Sequence, residues 1–185
     1  MSHHESAHSA PRVVAFCGNN QRPSKSRALV EAVIEELQSL GIESIDIYDL
    51  IDLGNLGDAK WKGDLEGKQK EIIDAIEHAD ALIVGTPVYK GSYAGLFKHV
   101  IDLLDQASLR DKPVCITACG GGYRHALVVE HQLRPLFGFF NALALPTAVY
   151  AGEPDFKEGK LTNPEIRGRA KCAAQELARQ IVTLN

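Results

Sequence analysis

The chain has 185 residues, of which 45% are hydrophobic and 24% are charged, and this balance fits one globular domain with an adequate core. Twenty basic and twenty-four acidic residues, with no basic run, argue against a nucleic-acid surface and a membrane surface. Without an apolar signal segment or a run long enough to span a bilayer, the sequence predicts a cytoplasmic protein: a disordered tail, residues 1–11, ahead of one domain, residues 12–185.

Strand-like and helix-like patterns alternate along the chain. Residues 79–85 form an apolar run typical of a strand covered on both faces, whereas residues 26–40 repeat apolar positions at helical spacing. The predicted strands are residues 12–18, 44–50, 79–85, 113–119 and 145–152. The predicted helices are residues 26–40, 68–78, 93–104, 124–141 and 163–184, and residues 51–68 are expected to form a long surface connection.

This alternation predicts an α/β fold with a parallel sheet, because right-handed crossovers leave few possible strand orders. We expect a flavodoxin-like three-layer sandwich whose five-stranded parallel sheet has the order 2-1-3-4-5. That order brings the ends of strands one, three and four together at the carboxyl edge of the sheet, where α/β proteins bind ligands.

The segment after strand one has the composition of a phosphate site. Hydroxyls, amides and one guanidinium precede a helix start, where free backbone amides favour negative charge. It is neither a Walker loop nor a dinucleotide fingerprint, so a terminal monophosphate fits better than a triphosphate or pyrophosphate. Alternatively, a serine here only caps the helix. The candidate binding residues are Gly18, Asn19, Gln21, Arg22, Ser24 and Ser26.

Two further segments suit a planar ligand. After strand three, a proline and a glycine allow backbone amides to grip an acceptor-rich ring, and after strand four three glycines let a ring edge touch the backbone. Each could instead be an ordinary turn. The candidate residues are Pro87, Val88, Tyr89, Lys90, Gly91 and Ser92 in one segment, and Gly120, Gly121, Gly122 and Tyr123 in the other.

Three motifs resemble those of the NAD(P)H-dependent FMN reductases, especially the reductase components of two-component alkanesulfonate and methanesulfonate monooxygenases. They are GTPVYKGSYAGLFK, CGGGYRHALVVEHQLRPLF and the serine-rich segment after strand one, residues 18–26, which we call the first loop. The resemblance implies FMN, with its phosphate at residues 18–26, its ring edge at residues 87–92 and its far rim near residues 120–123. It also implies NADPH or NADH as the reductant, an FMN-dependent monooxygenase as partner, and a homo-oligomer, either a dimer or a tetramer.

The first loop departs from the family pattern Gly-Ser-x-Arg-x-x-Ser-x-Ser. Asn19 replaces the first serine, and Gln21 stands where arginine is expected, with Arg22 one position later. Because an amide donates a hydrogen bond but carries no charge, we expect a phosphate grip that is weaker by about 1 kcal/mol or is shifted onto Arg22. Weak retention would suit an enzyme that releases reduced flavin.

Pro135 falls inside the helical pattern of residues 124–141. Its nitrogen cannot donate to the carbonyl of His131, and its ring crowds that group, so a kink or π-bulge at His131 is expected. Flavin reductases that serve monooxygenases resemble this pattern, with an aromatic residue in a π-turn at a subunit interface. The resemblance therefore implies an interface role for His131, which could alternatively be an ordinary surface residue.

The implied reaction is hydride transfer from the nicotinamide to FMN, in which the protein supplies orientation and electrostatics. No side chain is assigned a catalytic role, although Lys90 is a candidate for tuning the flavin. Two alternatives stay open: an FMN-retaining quinone or azo-dye reductase, and a non-enzymatic electron carrier of the flavodoxin type. Cys17, Cys115, Cys119 and Cys172 show no metal-ligand spacing and are expected to be buried, reduced thiols.

Overall fold

Buried aliphatic runs form the central strands. The computed structural model describes residues 10–183, so most of the predicted tail, residues 1–11, lies outside the described residues. Every residue of β1 (Val13–Cys17) and β5 (Pro113–Gly120) is buried, as expected for strands covered on both faces. The other strands of this sheet are β2 (Ile45–Asp49), β3 (Ala81–Tyr89), β4 (Ser92–Tyr93), β6 (Leu143–Ala144) and β7 (Val149–Gly152).

The sheet has the order β2-β1-β3-β5, and both β6 and β7 pair in parallel with β5 on its far side. The predicted flavodoxin-like order 2-1-3-4-5 is thereby confirmed, but the predicted number of strands is wrong, because the sheet has seven. The fifth position is shared by β6 and β7, which are separated by a segment containing Pro146, a residue that cannot donate to a strand ladder. The other additional strand, β4, pairs with β3 in antiparallel orientation.

Helices cover both faces of the sheet. On one face, α1 (Lys25–Ser39) and α6 (Pro164–Thr183) bury an apolar core that includes Leu29 and Leu177. On the other, α3 (Gly67–Glu77), α4 (Gly95–Asp102) and α5 (Arg134–Phe139) bury a second apolar core that includes Val14 and Phe16 of β1. Successive residues of β1 thus face opposite cores, which is the alternation expected of a strand.

The predicted surface connection, residues 51–68, is partly structured. It begins within α2 (Leu50–Leu53) and contains a 3₁₀ turn, Lys62–Asp64. A small hairpin, β8 (Phe156–Lys157) with β9 (Lys160–Leu161), precedes α6. No helix among residues 10–183 is both long and apolar enough to cross a membrane.

The predicted helix of residues 124–141 is divided. It begins in a 3₁₀ turn, Tyr123–His125, and passes through a π-helical turn, Val129–Leu133, into α5. The N–H of Arg134 donates to the carbonyl of Val129, five residues earlier. The π turn expected at His131 is therefore present, directly before Pro135, and His131 is exposed on it. Its interface role stays a prediction.

Three of the four cysteines are buried, as predicted. Cys172 is the exception, because it lies on the exposed side of α6. Burial raises the pKa of the thiols of Cys115 and Cys119 to about 12, so both are protonated at neutral pH. Cys119 is consequently a poor nucleophile although it stands beside the candidate site.

Candidate functional site

Two adjoining cavities lie at the carboxyl edge of the sheet. The inner cavity, of about 260 Å³, lies between the first loop, the start of α1 and the ends of β3 and β5. The outer cavity, of about 520 Å³, lies between the β3–β4 turn and the segment after β5. Val88 and Gly121 line both, so the two cavities share part of one wall.

Most of the predicted site residues line one of these cavities. The inner cavity takes Asn19, Gln21, Ser24, Ser26, Pro87, Val88, Tyr89, Gly120 and Gly121. The outer cavity takes Lys90, Gly91, Gly122 and Tyr123, together with Val88 and Gly121. The remaining three, Gly18, Arg22 and Ser92, line neither.

These three residues have structural contacts instead. The N–H of Gly18 donates to the carbonyl of Gly85 at 2.7 Å, and a Cβ at position 18 would lie 2.6 Å from Cβ of Phe97. The hydroxyl of Ser92 donates to Oε1 of Gln132 in the π turn at 3.3 Å. Gly18 is thus required for packing, and Ser92 joins the β3–β4 hairpin to the π turn.

Arg22 is held away from the cavity by two carboxylates. Its Nε donates to Oδ2 of Asp49 at 2.7 Å, and its terminal nitrogen donates to Oδ2 of Asp52 at 2.6 Å. Asp49, whose side chain is fully buried, also accepts from Arg27 at 3.0 Å. Burial opposes ionisation of Asp49, but the hydrogen bonds from Arg22, Asn19 and Arg27 outweigh it and lower the pKa of this carboxyl. The positive charge of Arg22 is therefore directed at Asp49 and Asp52.

Asn19 shapes the first loop from within. Its Nδ2 donates both to the carbonyl of Gln21 at 3.1 Å and to Oδ2 of Asp49 at 3.3 Å. Because both neighbours are acceptors, this network fixes the orientation of the amide and uses both of its N–H groups. Asn19 accordingly orders the loop and has no N–H left for a ligand.

The segment predicted as a loop at residues 87–92 is a β-hairpin. β3 runs four residues beyond its predicted end at residue 85, and Lys90 and Gly91 form the two-residue turn to β4, with φ of 53° and 82°. Positive φ at both positions is the pattern of a type I′ turn. The hydroxyl of Thr86 accepts the N–H of Ala94 at 3.1 Å. Residues 87–92 thus form a hydrogen-bonded β-hairpin at the wall of the site.

Two tyrosines fix the glycine segment after β5. The hydroxyl of Tyr150 donates to the carbonyl of Gly122 at 2.6 Å. The ring of Tyr123 lies against Gly152, where a Cβ would come within 2.9 Å of it, and its hydroxyl donates to Oδ1 of the buried Asp155 at 2.8 Å. That hydrogen bond raises the pKa of Tyr123. Tyr123 is therefore neutral and held in one orientation at the wall of the outer cavity.

Known proteins resemble this chain in sequence and fold. A sequence profile of the NADPH-dependent FMN reductase family matches residues 11–155. The chain belongs to this family.

Its relatives cover nearly the whole chain. The NADH-dependent FMN reductase SfnF of Pseudomonas fluorescens is 46% identical over 172 residues, 90% of each chain. The FMN reductase (NADPH) of Pseudomonas aeruginosa is 44% identical over 169 residues, again 90% of each. An oxidoreductase of known structure from Corynebacterium diphtheriae, 33% identical, superposes with a TM-score of 0.78 over 95% of this chain and 99% of the other.

Sequence reasoning missed two charged residues of this FMN reductase. Lys25 and Glu153 are the only charged residues among the described residues that line the inner cavity, and Nζ of Lys25 forms an ion pair with Oε1 of Glu153. Lys25 lies within the first loop, residues 18–26, and is the first residue of α1. Glu153 follows β7, and the signal that could have found it is its place directly after a parallel strand, where a fourth loop reaches the same edge.

Arg124 and His125 also line the outer cavity, although they were not among the site residues predicted from the sequence. A Cβ at Gly91 would lie 3.6 Å from two atoms of the His125 ring, so the imidazole stands beside the hairpin turn. Together with Lys90, these side chains place three basic groups around a cavity whose described lining contains no carboxylate. The outer cavity of the FMN reductase thus favours electron-rich groups.

Proposed function

We propose that this chain reduces FMN with NADH or NADPH and releases the reduced flavin to an FMN-dependent monooxygenase of the sulfonate type. The observation that carries the proposal is the convergence of the first loop, the β3–β4 hairpin and the glycine segment on two adjoining cavities. Membership of the FMN reductase family supports the reaction. The resemblance to reductase components of sulfonate monooxygenases supports the partner.

The residues present fit FMN. The inner cavity adjoins the start of α1, where the positive end of the helix dipole favours an anion, and it offers the hydroxyls of Ser24 and Ser26 and the ammonium of Lys25. Ser24 also caps α1, since its hydroxyl accepts the N–H of Arg27 at 3.4 Å, so capping and phosphate binding coexist. We assign the phosphate to these groups, and the charged contact to Lys25 in place of Arg22.

The outer cavity suits the flavin ring. Positions 121 and 122 have no atom within 4 Å of the place of a Cβ, so the backbone there lies open to a ring edge. Residues 87–91 of the hairpin line the same two cavities. When bound, FMN supplies the redox chemistry as the acceptor of a hydride. The chain holds and orients it, and Lys90 is the candidate for favouring negative charge near it.

Release of the product follows from the weakness of the phosphate site. Gln21 and Asn19 bring no charge to the inner cavity, and both Arg22 and Arg27 are bound to Asp49. A single lysine is a modest anchor for a phosphate dianion. We therefore propose that FMN exchanges as a substrate. We also propose that the chain acts in the cytoplasm, where both nicotinamide dinucleotides are available. Its assembly would be a dimer or tetramer formed through the π turn.

The test is steady-state oxidation of NADH and of NADPH with titrated FMN, followed by dialysis of the protein. We expect oxidation that saturates with free FMN, and a colourless protein after dialysis. Protein that stays yellow and reduces quinones faster than it reduces FMN would instead identify an FMN-retaining quinone reductase. Absence of dinucleotide oxidation at saturating FMN would contradict the proposed reaction altogether.

A further inference from the structure

The ion pair between Lys25 and Glu153 joins two walls of the inner cavity. Lys25 opens α1 and Glu153 follows β7, so residues 128 positions apart in the chain meet there. Their side chains are 40% and 63% exposed, which leaves both within reach of a ligand. The described lining of this cavity carries one positive and one negative charge, and its formal sum is zero.

No other cation of the first loop can replace Lys25 without breaking a stronger contact. Arg22 donates to Asp49 and Asp52, and Arg27 donates to Glu31 at 2.8 Å and to Asp49 at 3.0 Å. Asp49 is fully buried, so withdrawing either guanidinium would weaken the pairing of a buried charge. A phosphate at the start of α1 therefore depends on Lys25 for its charged contact.

Glu153 is ionised beside that contact. Its hydrogen bond with Lys25 lowers the pKa of the Glu153 carboxyl, so it keeps its negative charge at neutral pH. An incoming phosphate dianion would share Lys25 with this carboxylate, which weakens the ion pair, and would then lie close to the carboxylate. The first effect removes an attraction, and the second adds a repulsion between like charges.

We propose that Glu153 sets the affinity for phosphorylated flavin by competing with the phosphate for Lys25. The inference rests on the proposed function, because it takes FMN as the ligand. The pair acts as a latch that is closed in the free protein and opens when the phosphate binds. Its consequence is selective: it weakens the binding of FMN and leaves riboflavin, which has no phosphate, unaffected.

The experiment is a comparison of dissociation constants for FMN and riboflavin, measured by quenching of flavin fluorescence. We expect Glu153→Gln to bind FMN about tenfold more tightly than the original chain and riboflavin equally well. Lys25→Met should weaken FMN binding by about tenfold with the same indifference to riboflavin. Adding Glu153→Gln to Lys25→Met should give a smaller gain, since only the direct repulsion is then removed.

Two controls separate charge from structure. Glu43→Gln removes the same charge from an exposed residue ahead of β2, at the opposite edge of the sheet, and should leave both constants unchanged. Glu153→Asp keeps the carboxylate and should stay close to the original FMN affinity. Because the repelling groups are exposed to solvent, the gain in Glu153→Gln should shrink as salt is raised from 0.05 to about 0.5 M.

Each result decides the inference. Glu153→Gln with unchanged FMN affinity would overturn it, and equal tightening of FMN and riboflavin would show that the residue acts through the shape of the cavity. Failure of the proposed function has a different signature. In that case the original chain would bind FMN and show these shifts, yet oxidise neither NADH nor NADPH in its presence.

Discussion

The hydroxyl oxygen of Tyr150 lies only 2.2 Å from the place that a Cβ of residue 120 would take. It lies there to donate to the carbonyl of Gly122, so that one tyrosine of β7 both requires a glycine at position 120 and fixes the segment after it. Gly121 differs, because no atom lies within 4 Å of its Cβ position. Adjacent glycines thus serve different needs: Gly120 for packing, and Gly121 for open space beside both cavities.

Alanine substitutions should separate these two needs. We expect Gly120→Ala to lower the free energy of unfolding by about 2–3 kcal/mol, because Tyr150 must be displaced from its hydrogen bond. Gly121→Ala should leave stability within about 0.5 kcal/mol and raise the dissociation constant for FMN, since its methyl group would hold a ring edge off the backbone. Urea denaturation and flavin titration measure the two effects. A Gly120→Ala protein as stable as the original would contradict the role of Tyr150.

The parts of this site that the sequence predicted are those encoded locally. The apolar runs of β3 and β5 identify two buried strands whatever the rest of the chain does, and Gly120–Gly122 marks the end of β5. The alternation of elements then fixes which strand ends meet. Pro135 likewise predicted the π turn, because it acts on a carbonyl only four residues away. The hairpin was missed because its turn begins with Lys90, which is not one of the residues that usually mark positive φ.

The parts that the sequence did not predict depend on distant pairings. Whether Arg22 faces a phosphate depends on Asp49, which is 27 residues away and is brought beside the first loop by the parallel register of Cys17 with Asp49. Glu153 reaches the cavity only because β7 pairs with the end of β5. Neither Asp49 nor Glu153 stands in one of the motifs recognised in the sequence. Their charge partners cannot be assigned before the register of the sheet is known.

Asp49 should carry a large share of the stability of the first loop. Asp49→Asn leaves Arg22 and Arg27 without their buried partner, and we expect it to cost about 3 kcal/mol in urea unfolding at neutral pH. Asp46→Asn, on the same strand, breaks only the exposed pair with Arg12 and should cost less than about 1 kcal/mol. Equal costs for the two variants would contradict the central position of Asp49.

The same carboxylate should make the fold sensitive to acid. Because the pKa of Asp49 is lowered in the folded chain, its contribution is complete above about pH 4, the ordinary range of an unfolded aspartate, and is lost as the pH falls through the lowered folded value. As the pH is lowered from about 4 through the folded pKa of Asp49, the free energy of unfolding should therefore fall less in Asp49→Asn than in the original chain. Parallel curves over that window would show that Asp49 is not responsible.

Lys112 predicts that stability rises with pH in a second, alkaline window. Its buried ammonium donates to the carbonyls of Ile76 at 3.1 Å and Glu77 at 2.6 Å, at the end of α3, and burial lowers its pKa to about 8. The unfolded chain, with a lysine pKa of about 10.4, binds this proton more tightly, so the contribution of Lys112 to stability rises between pH 8 and about pH 10.

Lys112→Met should remove this rise. We expect the free energy of unfolding of the original chain to gain about 2 kcal/mol on the variant between pH 8 and pH 10. Lys98→Met, which removes a lysine that pairs with Asp102 on the surface of α4, is the matched control and should follow the original chain in that window. If Lys112→Met showed the same rise as the original chain, the buried ammonium would not be its source.

The π turn carries the prediction about assembly. His131 is exposed on it, and Leu127 before it and Phe139 after it are 62% and 61% exposed, an apolar surface on one continuous segment. If this surface joins subunits, Leu127→Ser and His131→Ala should each shift the protein to a smaller species in sedimentation velocity, with little change in thermal unfolding of the isolated subunit.

Leu40→Ser is the control for this experiment, because Leu40 is exposed at the end of α1, which covers the opposite face of the sheet from α5. A second readout follows from Ser92, whose hydroxyl donates to Gln132 of the same turn and so joins the assembly surface to the hairpin of the site. Loss of the larger species should therefore also raise the dissociation constant for FMN. A monomeric original chain, or variants that leave the sedimentation of an oligomer unchanged, would remove the interface role of His131 while leaving the π turn itself explained by Pro135.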